Sequence, residues 1–276
     1  MNAYDASYES LVAAYISGDA DARNDKINDE LYTKYTHCLE FFEFCKRYVD
    51  IRGLRFLEVG CGTGYVAAAA ADKGAAAITA TDIVTSAVEL AKLRFLHHNI
   101  DAELFVSDLR EEPAAKHTGA FDFVWCFQVL EHLPRADHFK GIRNLLSYVA
   151  PGGFVFIDTE NSLCPYDRHD TNTWLIRYLS KVIHDPIFQR AGWGLDFLEP
   201  SSGHRVQTRD YLSYDELTGA ARVLGFEVID PYMPHGSKQQ YLKTLTKSDW
   251  FYDTIGKYID VERYAPISLL LRKDGK

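Results

Sequence analysis

Short apolar runs alternate with amphipathic stretches through the middle of the chain. Runs of strand length, rich in aliphatic and aromatic residues, cover 55–60, 77–83, 102–107, 121–128 and 153–158. Stretches with helical periodicity lie between them, at 66–72, 86–97 and 135–148. Strands that alternate with helices are typical of a parallel sheet covered on both faces. The pattern therefore predicts an α/β fold.

The C-terminal part of the chain adds one helix and two strands to this pattern. Residues 214–224 form an amphipathic segment that ends at Gly225, a residue type suited to the end of a helix. The apolar segments 226–230 and 267–272 predict two more strands, which makes seven in all. The chain has no internal repeat, low-complexity run or flexible linker, so we expect a single domain over residues 1–276.

The first predicted strand runs into a glycine-rich loop. Gly60, Gly62 and Gly64 stand at every second position, and Asp82 ends the next predicted strand. In doubly wound folds such a loop approaches a nucleoside cofactor closely, and an acid after the second strand binds ribose hydroxyls. The dinucleotide fingerprint requires a glycine at its sixth position, where this chain has Tyr65. The spacing therefore predicts a nucleoside cofactor but disfavours a nicotinamide enzyme.

The loop and three later segments resemble the motifs of the class I S-adenosylmethionine (SAM) dependent methyltransferases. The first motif is the acidic-x-Gly-x-Gly-x-Gly pattern that begins at Glu58. The run 102–109 ends near an acid, the run 121–132 ends in a Glu-His pair, and a Pro-Gly-Gly turn at 151–153 precedes the fifth strand. The Glu-His pair is most similar to small-molecule methyltransferases of ubiquinone biosynthesis. The resemblance spans residues 55–160.

This resemblance implies a Rossmann-like, seven-stranded, mostly parallel sheet whose last strand lies antiparallel beside the fifth. It also implies SAM as the cofactor and S-adenosylhomocysteine (SAH) as the product, bound by residues 51–160. The substrate side then falls to residues 161–276. Expected cofactor-binding residues follow the motifs and are Glu58, Gly60, Cys61, Gly62, Gly64, Asp82, Ile83, Ser107, Asp108, Leu109, Phe127 and Gln128.

Each motif implies a different contact with the cofactor. Gly60 and Gly62 allow the backbone to approach the methionine and ribose closely. The carboxylate of Asp82 is expected to accept hydrogen bonds from both ribose hydroxyls. Asp108 is expected to recognise the adenine amino group. For Glu58 the alternatives stay open, since its carboxylate can orient the loop or accept from the cofactor ammonium, or it can make a purely structural hydrogen bond to backbone amides.

Methyl transfer is an in-line displacement at a sulfonium carbon, which gains chiefly from alignment and exclusion of water. An aliphatic hydroxyl acceptor also needs a base. His132, directly after the fourth strand, is the first candidate, although it can also merely pack near the cofactor. His169 is the second, oriented by Asp170 or Asp167. The alternative for that cluster is a turn in which Asp170 or Thr171 caps the following helix.

Several function classes are disfavoured by what the fourth-strand segment lacks. Gln128, Glu131 and His132 do not reproduce the clustered carboxylates and Asn of magnesium-dependent catechol-type methyltransferases, so we expect no metal. The Asn/Asp-Pro-Pro-aromatic motif of amino-methylating DNA enzymes is also absent there. A formal charge of -9, from 30 basic and 39 acidic residues, further disfavours nucleic acid and anionic membranes as partners.

The remaining composition bounds the compartment. The chain shows no basic segment followed by an apolar leader and no run of eighteen apolar residues, so we expect a cytoplasmic protein. Five scattered cysteines, without a Cys-x-x-Cys pair, predict reduced thiols rather than disulfides or zinc ligands. Cys61 lies inside the glycine loop, where a small side chain is the simpler explanation than a reactive thiol.

Three segments exceed the minimal fold, at 1–50, 161–209 and 233–263. Aromatic residues at helical spacing in the first predict two helices, packed either over the cofactor or on the sheet. In the second, apolar residues from Trp174 to Ile183 predict a helix that walls a substrate pocket or forms a contact between subunits, such as a homodimer interface. The third is also expected to be helical.

The sequence thus predicts a SAM-dependent methyltransferase that acts on a small molecule. A hydroxyl oxygen of a sugar, phenol or secondary metabolite is the preferred acceptor, because of the histidines at the site and the resemblance to quinone-pathway enzymes. Two alternatives stay open. One is a small-molecule N-methyltransferase, and the other is a non-catalytic protein that keeps the fold to bind SAM or a partner.

Overall fold

The computed structural model describes residues 32–164, 211–233, 263 and 266–275, together with the backbone of four short strands. Its helices are α1 (Lys34–Cys45), α2 (Tyr65–Asp72), α3 (Thr85–His98), α4 (His138–Ser147) and α5 (Tyr214–Val223). The strands are β1 (Arg55–Val59), β2 (Ala77–Asp82), β3 (Ala102–Val106), β4 (Phe121–Phe127), β5 (Val149–Thr159), β6 (Tyr166–Asp167), β7 (Thr173–Trp174), β8 (Asp196–Leu198), β9 (Arg205–Gln207), β10 (Phe226–Asp230) and β11 (Ile267–Lys273).

Within the described residues, seven strands form one sheet in the order β10-β11-β5-β4-β1-β2-β3. Strands β1 to β5 are parallel to one another, whereas β11 is antiparallel to both β5 and β10. The mostly parallel seven-stranded sheet and the antiparallel last strand are therefore confirmed. Strands β2 and β3 lie on one side of β1, and β4 and β5 lie on the other side.

Helices cover both faces of the sheet, because successive strand residues point to opposite sides. Phe56 and Phe123 belong to the apolar core beneath α1, α2 and α3. Their neighbours Leu57 and Val124 belong to the core beneath α4 and α5. Strand β4 has six residues that are largely shielded from water, which agrees with the nearly continuous apolar runs expected of buried parallel strands.

The first helix of the described chain packs on the sheet. Phe42 of α1 lies edge-on to Phe56 of β1, with ring centroids 5.8 Å apart, and Phe41 is edge-on to Trp125 of β4 at 4.6 Å. Buried aromatic pairs of this kind stabilise a core beyond the area they bury. Of the two packings expected for the N-terminal segment, residues 34–45 adopt packing on the sheet, while residues 1–31 lie outside the described residues.

Two element boundaries differ from the sequence prediction. Strand β5 starts at Val149 instead of residue 153, because the register shifts so that Phe121 pairs with Val149 and Phe123 with Phe154. The extra residues form an irregularity that contains the Pro-Gly-Gly turn, with Gly152 at φ +76°. The helix predicted over 135–148 divides into a 3₁₀ turn, Arg135–Asp137, followed by α4.

The segment after β5 contains short antiparallel strands where it is described. Strand β6 pairs with β7, and β8 pairs with β9. Trp174, expected in a helix, lies in β7, consistent with the strand preference of aromatic and β-branched residues such as its neighbour Thr173. Residues 175–195 and 234–262, where helical insertions are expected, lie outside the described residues.

Candidate functional site

The carboxyl ends of the parallel strands meet at one edge of the sheet. Val59 at the end of β1 pairs with Thr81 on one side and with Cys126 on the other, so the loops after β1, β2 and β4 start from adjacent positions. The order of strands reverses between β1 and β4, which creates the crevice where open α/β sheets bind ligands. The sequence-predicted residues after these three strands are therefore brought together.

The glycine loop after β1 has left-handed backbone at its three glycines. The φ angles are +72° at Gly60, +50° at Gly62 and +74° at Gly64, a region that L side chains adopt at a cost. The backbone N–H groups of Gly60 and Cys61 both donate to the Thr81 carbonyl, at 2.8 and 2.9 Å. These bonds anchor the start of the loop to β2.

The three glycines face different surroundings. A Cβ atom at Gly60 would lie 2.1 Å from Cγ2 of Val129, and one at Gly64 would lie 2.9 Å from Cβ of Ala91 and 3.0 Å from Cε1 of Phe95. A Cβ atom at Gly62 would meet nothing within 4 Å. Of the three, Gly62 thus presents its backbone to open space, as the close approach of a cofactor requires, whereas Gly60 and Gly64 accommodate protein side chains.

Glu58 has a structural hydrogen bond. Its side chain is buried, and Oε2 accepts from the backbone N–H of Ala67 at 2.8 Å. Ala67 lies in the first turn of α2, where backbone N–H groups have no partner within the helix. A carboxylate at this end of a helix is also favoured by the helix dipole. The contact is a structural hydrogen bond to a backbone amide, one of the roles expected for Glu58.

Asp82 links β2 to the glycine loop. Its Oδ2 accepts from the N–H of Gly62 at 2.8 Å, and its Oδ1 accepts from the N–H of Val84 at 2.9 Å. Burial raises the pKa of this carboxyl despite those hydrogen bonds. Each carboxylate oxygen carries two lone pairs and keeps acceptor capacity beyond one backbone bond. The arrangement therefore fits a pair of ribose hydroxyls at the mouth of the loop.

The segment after β3 lines a cleft of about 490 Å³ beside Asp82. Ile83, Ser107 and Asp108 form part of its wall, and its volume lies in the range of ligand pockets. The carboxylate of Asp108 is engaged by Arg110, whose Nε donates to Oδ2 at 2.8 Å. The side chain of Leu109 is buried in the core, and this residue does not line the cleft.

The segment after β4 combines an exposed ring with a strained residue. Phe127 is 39% exposed and its ring lies against Trp125, with centroids 6.3 Å apart. Gln128 has φ +55°, unusual for a residue other than glycine, and its Nε2 donates to Oδ1 of Asp158 at 2.6 Å. The amide of Gln128 is thus directed to β5, and its backbone conformation leads to Val129, which fills the space beside Gly60.

Two further residues of the site follow the same strand. His132 is half-buried and ends the 3₁₀ turn Leu130–His132. Glu131 is fully buried, with Oε2 accepting from the hydroxyl of Thr159 at 2.8 Å. The other predicted base and its orienting acid, His169 and Asp170, lie outside the described residues. Cys61 is buried, and burial raises the pKa of its thiol well above the ordinary value, which favours a packing role over a reactive one.

Sequence reasoning missed two residues that shape the loop, Arg94 and Val129. Arg94 is fully buried on the face of α3 that also carries Ala91 and Phe95, and its Nε donates to the Thr63 carbonyl at 2.8 Å. A charged residue on an otherwise apolar helix face was a signal for Arg94 in the sequence. Val129 had no such signal, because its contact with Gly60 joins distant parts of the chain.

Two structural features are absent from the described residues. No group of three or more His, Cys, Asp or Glu side chains among them is arranged to hold a metal ion. None of the described helices is both long and apolar enough to cross a lipid bilayer.

Comparisons with known proteins agree with this geometry. The profile of a family described as a methyltransferase domain matches residues 32–230. The ubiquinone biosynthesis O-methyltransferase of Escherichia coli O7:K1 is 40% identical over 109 residues, which is 40% of this chain and 44% of that protein. The chain thus matches less than half the length of this curated relative.

Solved structures of low sequence identity share the fold. A SAM-dependent methyltransferase from Mesorhizobium loti superposes with a TM-score of 0.53 at 15% identity, covering 87% of this chain and all of that one. Magnesium protoporphyrin IX methyltransferase from Synechocystis PCC 6803, solved with bound SAH, gives 0.53 at 14% identity, covering 98% and 95%. With the family profile spanning most of the chain, the protein belongs to the methyltransferase-domain family, among the class I SAM-dependent methyltransferases.

Proposed function

We propose that this protein transfers a methyl group from SAM to a hydroxyl oxygen of a small molecule. The observation that carries the proposal is the crevice between β1 and β4, where Gly62 faces open space and Asp82 holds the Gly62 amide at 2.8 Å. The name of the O-methyltransferase that matches 40% of the chain supports oxygen as the acceptor atom.

The cofactor, when bound, supplies an electrophilic methyl group on sulfonium. The protein's own residues then have three tasks. The loop at Gly62 allows close approach of the cofactor, and Asp82 accepts hydrogen bonds from its ribose hydroxyls. The cleft beside Ile83 and Asp108 binds its adenine ring. Alignment of the acceptor oxygen with the methyl group provides much of the rate enhancement.

The acceptor hydroxyl must lose its proton as the new bond forms. His132 lies after β4 at the same edge of the sheet, and its ring is the described candidate for this base. His169, oriented by Asp170, is the second candidate and remains a prediction from the sequence. The exposed ring of Phe127 offers an apolar surface for the acceptor, which favours a phenol or a secondary metabolite with an apolar body over a bare sugar.

Two other functions remain as rivals. A neutral amine attacks through its own lone pair and releases a proton after transfer, so an N-methyltransferase would depend on the histidines less than an enzyme that must deprotonate a hydroxyl. A non-catalytic SAM-binding protein would bind the cofactor and transfer no methyl group to any acceptor. Neither has a specific observation in its favour within the described residues.

The experiment that tests the proposal is calorimetric titration of the protein with SAM and with SAH. We expect saturable binding of both, weakened at least about tenfold in Asp82→Ala because two ribose hydrogen bonds are lost. Asp122→Ala is the matched control, since Asp122 pairs with Arg55 at the opposite end of the strands. Absence of binding to either ligand in the unmodified protein would refute the proposal.

Turnover assays with hydroxylated acceptors then separate the proposed function from its rivals. We expect His132→Ala or His169→Ala to lower kcat by about a hundredfold and to remove the fall of activity at acidic pH. The exposed residue His37 on α1 provides the control His37→Ala. Full activity in both histidine variants would exclude a histidine base.

A further inference from the structure

A fully buried arginine contacts the glycine loop from the side opposite the crevice. Arg94 lies in α3, and its Nε donates to the Thr63 carbonyl at 2.8 Å while a terminal nitrogen lies 3.4 Å from the Thr63 hydroxyl. A buried guanidinium is costly unless its donors are satisfied. Two of the donors of Arg94 are directed to the loop proposed to bind the cofactor.

Thr63 is the residue of the loop that Arg94 contacts. It lies between Gly62 and Gly64, whose left-handed φ angles turn the chain sharply, and it is fully buried. A carbonyl in such a turn is outside both helix and sheet, yet a buried carbonyl requires a donor. Arg94 supplies one from another element.

The neighbours of Arg94 on α3 hold the same part of the loop. Ala91 and Phe95, three positions before and one after, come within about 3 Å of where a Cβ of Gly64 would lie. The side chain of Asp82 holds Gly62 from the other side at 2.8 Å. The loop is thus fixed between Asp82 at the crevice and one face of α3 behind it.

We propose that Arg94 is a positioning residue for the cofactor site, which holds the Thr63 carbonyl so that the N–H of Gly62 and the open side of the loop face the crevice. This inference rests on the proposed function, since it concerns the same cofactor site. Arg94 touches the loop from behind and acts through it. The resemblance to known methyltransferases identified the glycines but not this arginine.

The test compares two variants of Arg94 in the full chain. Arg94→Met keeps the approximate length of the side chain and removes both charge and donors. Arg94→Lys keeps the charge but places a methylene where Arg94 has its donating Nε. We expect the Kd for SAM to rise at least about tenfold in Arg94→Met and severalfold in Arg94→Lys, because the Thr63 carbonyl loses the hydrogen bond from Nε and the loop is held less firmly. KM for SAM should rise in parallel, with kcat at saturating SAM changed much less.

Hydrogen exchange distinguishes positioning from general destabilisation. In the protein without cofactor, we expect faster amide exchange in Arg94→Lys in peptides that cover residues 59–67, and unchanged exchange in α4 and α5. Leu146→Ala serves as the stability control, because Leu146 is buried under the other face of the sheet, near the end of a helix that runs away from the crevice. It should lower Tm without changing the Kd for SAM. Lys92→Met, exposed on the same helix as Arg94, should change neither.

The outcomes are separable. If Arg94→Met does not fold, Arg94→Lys still decides the matter. SAM affinity within about twofold of the unmodified protein in the folded Arg94 variants would overturn the inference and leave the proposed function standing. The same holds if Leu146→Ala weakens SAM binding as much as the Arg94 variants do at equal loss of Tm. Failure of the unmodified protein to bind SAM would refute the proposed function instead, while the exchange experiment would still report on the loop.

Discussion

At the scale of single residues, the three glycines of the loop meet three different requirements. Gly60 makes room for Val129, Gly64 makes room for α3, and Gly62 faces the crevice. The sequence has glycine at all three positions, and each has a left-handed φ angle. Gly60 and Gly62 were both expected to allow close approach of the cofactor, but of these two it is Gly62 that has open space, since Val129 lies beside Gly60. This difference depends on a side chain that lies far away along the chain.

Substitution of Gly62 separates backbone strain from loss of cofactor binding. Gly62→Ala introduces a methyl group at φ +50° with no protein atom within 4 Å, so we expect a loss of stability of about 1–2 kcal/mol. The methyl group projects into the crevice, and SAM affinity should fall by at least about tenfold as a result. Calorimetric titration and thermal unfolding of the same preparation measure the two effects.

Gly53→Ala is the matched control for this substitution. Gly53 has φ +77°, also with nothing within 4 Å of an added Cβ, and it lies in the turn before β1, at the other end of that strand. It should show a similar loss of stability and unchanged SAM affinity. Equal affinity losses in both variants would mean that backbone strain, and not contact with the cofactor, explains the effect at Gly62.

At the scale of elements, periodicity located the sheet well and local irregularities less well. The predicted strands β1 to β4 match the observed ones to within one residue at each end. Strand β5 begins four residues earlier than expected, because the bulge around Gly152 allows pairing to resume on its far side. A bulge depends on the register of the neighbouring strand, which no local pattern contains. Arg94 was missed for a similar reason, as its partner lies in another element.

The start of α5 offers a test of local signals. Ser213 and Glu216 form a reciprocal capping box, in which the Ser213 hydroxyl accepts from the N–H of Glu216 at 3.2 Å and Glu216 Oε2 accepts from the N–H of Ser213 at 2.8 Å. We expect Ser213→Ala to lower the free energy of unfolding by about 1 kcal/mol, because one amide of the first turn loses its acceptor. Chemical denaturation at neutral pH measures this change.

The same cap should respond to acid. Burial raises the pKa of Glu216, but hydrogen bonds from the backbone and hydroxyl of Ser213 and the charge of Arg135 outweigh it, so the pKa of Glu216 is lowered overall. The stability that ionised Glu216 contributes is therefore fully present above its pKa in the unfolded chain, near 4.5. This stability is lost as the pH falls through the lower pKa of Glu216 in the folded protein. Glu216→Gln should make the loss of stability in acid less steep. Glu227→Gln, which changes an exposed residue of β10, should not. An unchanged acid profile in Glu216→Gln would contradict the assignment.

At the scale of the whole molecule, two apolar cores lie on the two faces of one sheet, and four of the five cysteines belong to them. All five cysteines are buried and unpaired with one another, as the scattered spacing predicted. The overall topology was predictable because the order of motifs follows the order of strands. The helical insertions expected at 161–209 and 233–263 fall largely on residues outside the described part of the chain, and the described part of 161–209 contains the short strands β6 to β9 instead.

Thiol accessibility tests this picture of the whole fold. Burial raises the pKa of Cys45, Cys61 and Cys126, so their reactive thiolate forms are suppressed at neutral pH. We expect a thiol-specific chromogenic reagent to react slowly with the native protein and to titrate all five cysteines rapidly after denaturation. One thiol that reacts quickly in the native state would contradict the burial described for it, and mass spectrometry of the labelled peptide would identify the residue.

The contact between Gly60 and Val129 has a consequence for recombining this protein with its relatives. The loop keeps its shape through contacts with β2, α3 and the segment after β4. The sequence from Gly60 to Gly64 would therefore not keep this shape if it were moved alone into another protein. A chimera with a crossover between these positions and residue 129 inherits a glycine from one parent and its steric partner from the other. Crossovers placed after β5 leave this whole set of contacts intact, so chimeras divided there should keep the shape of the loop.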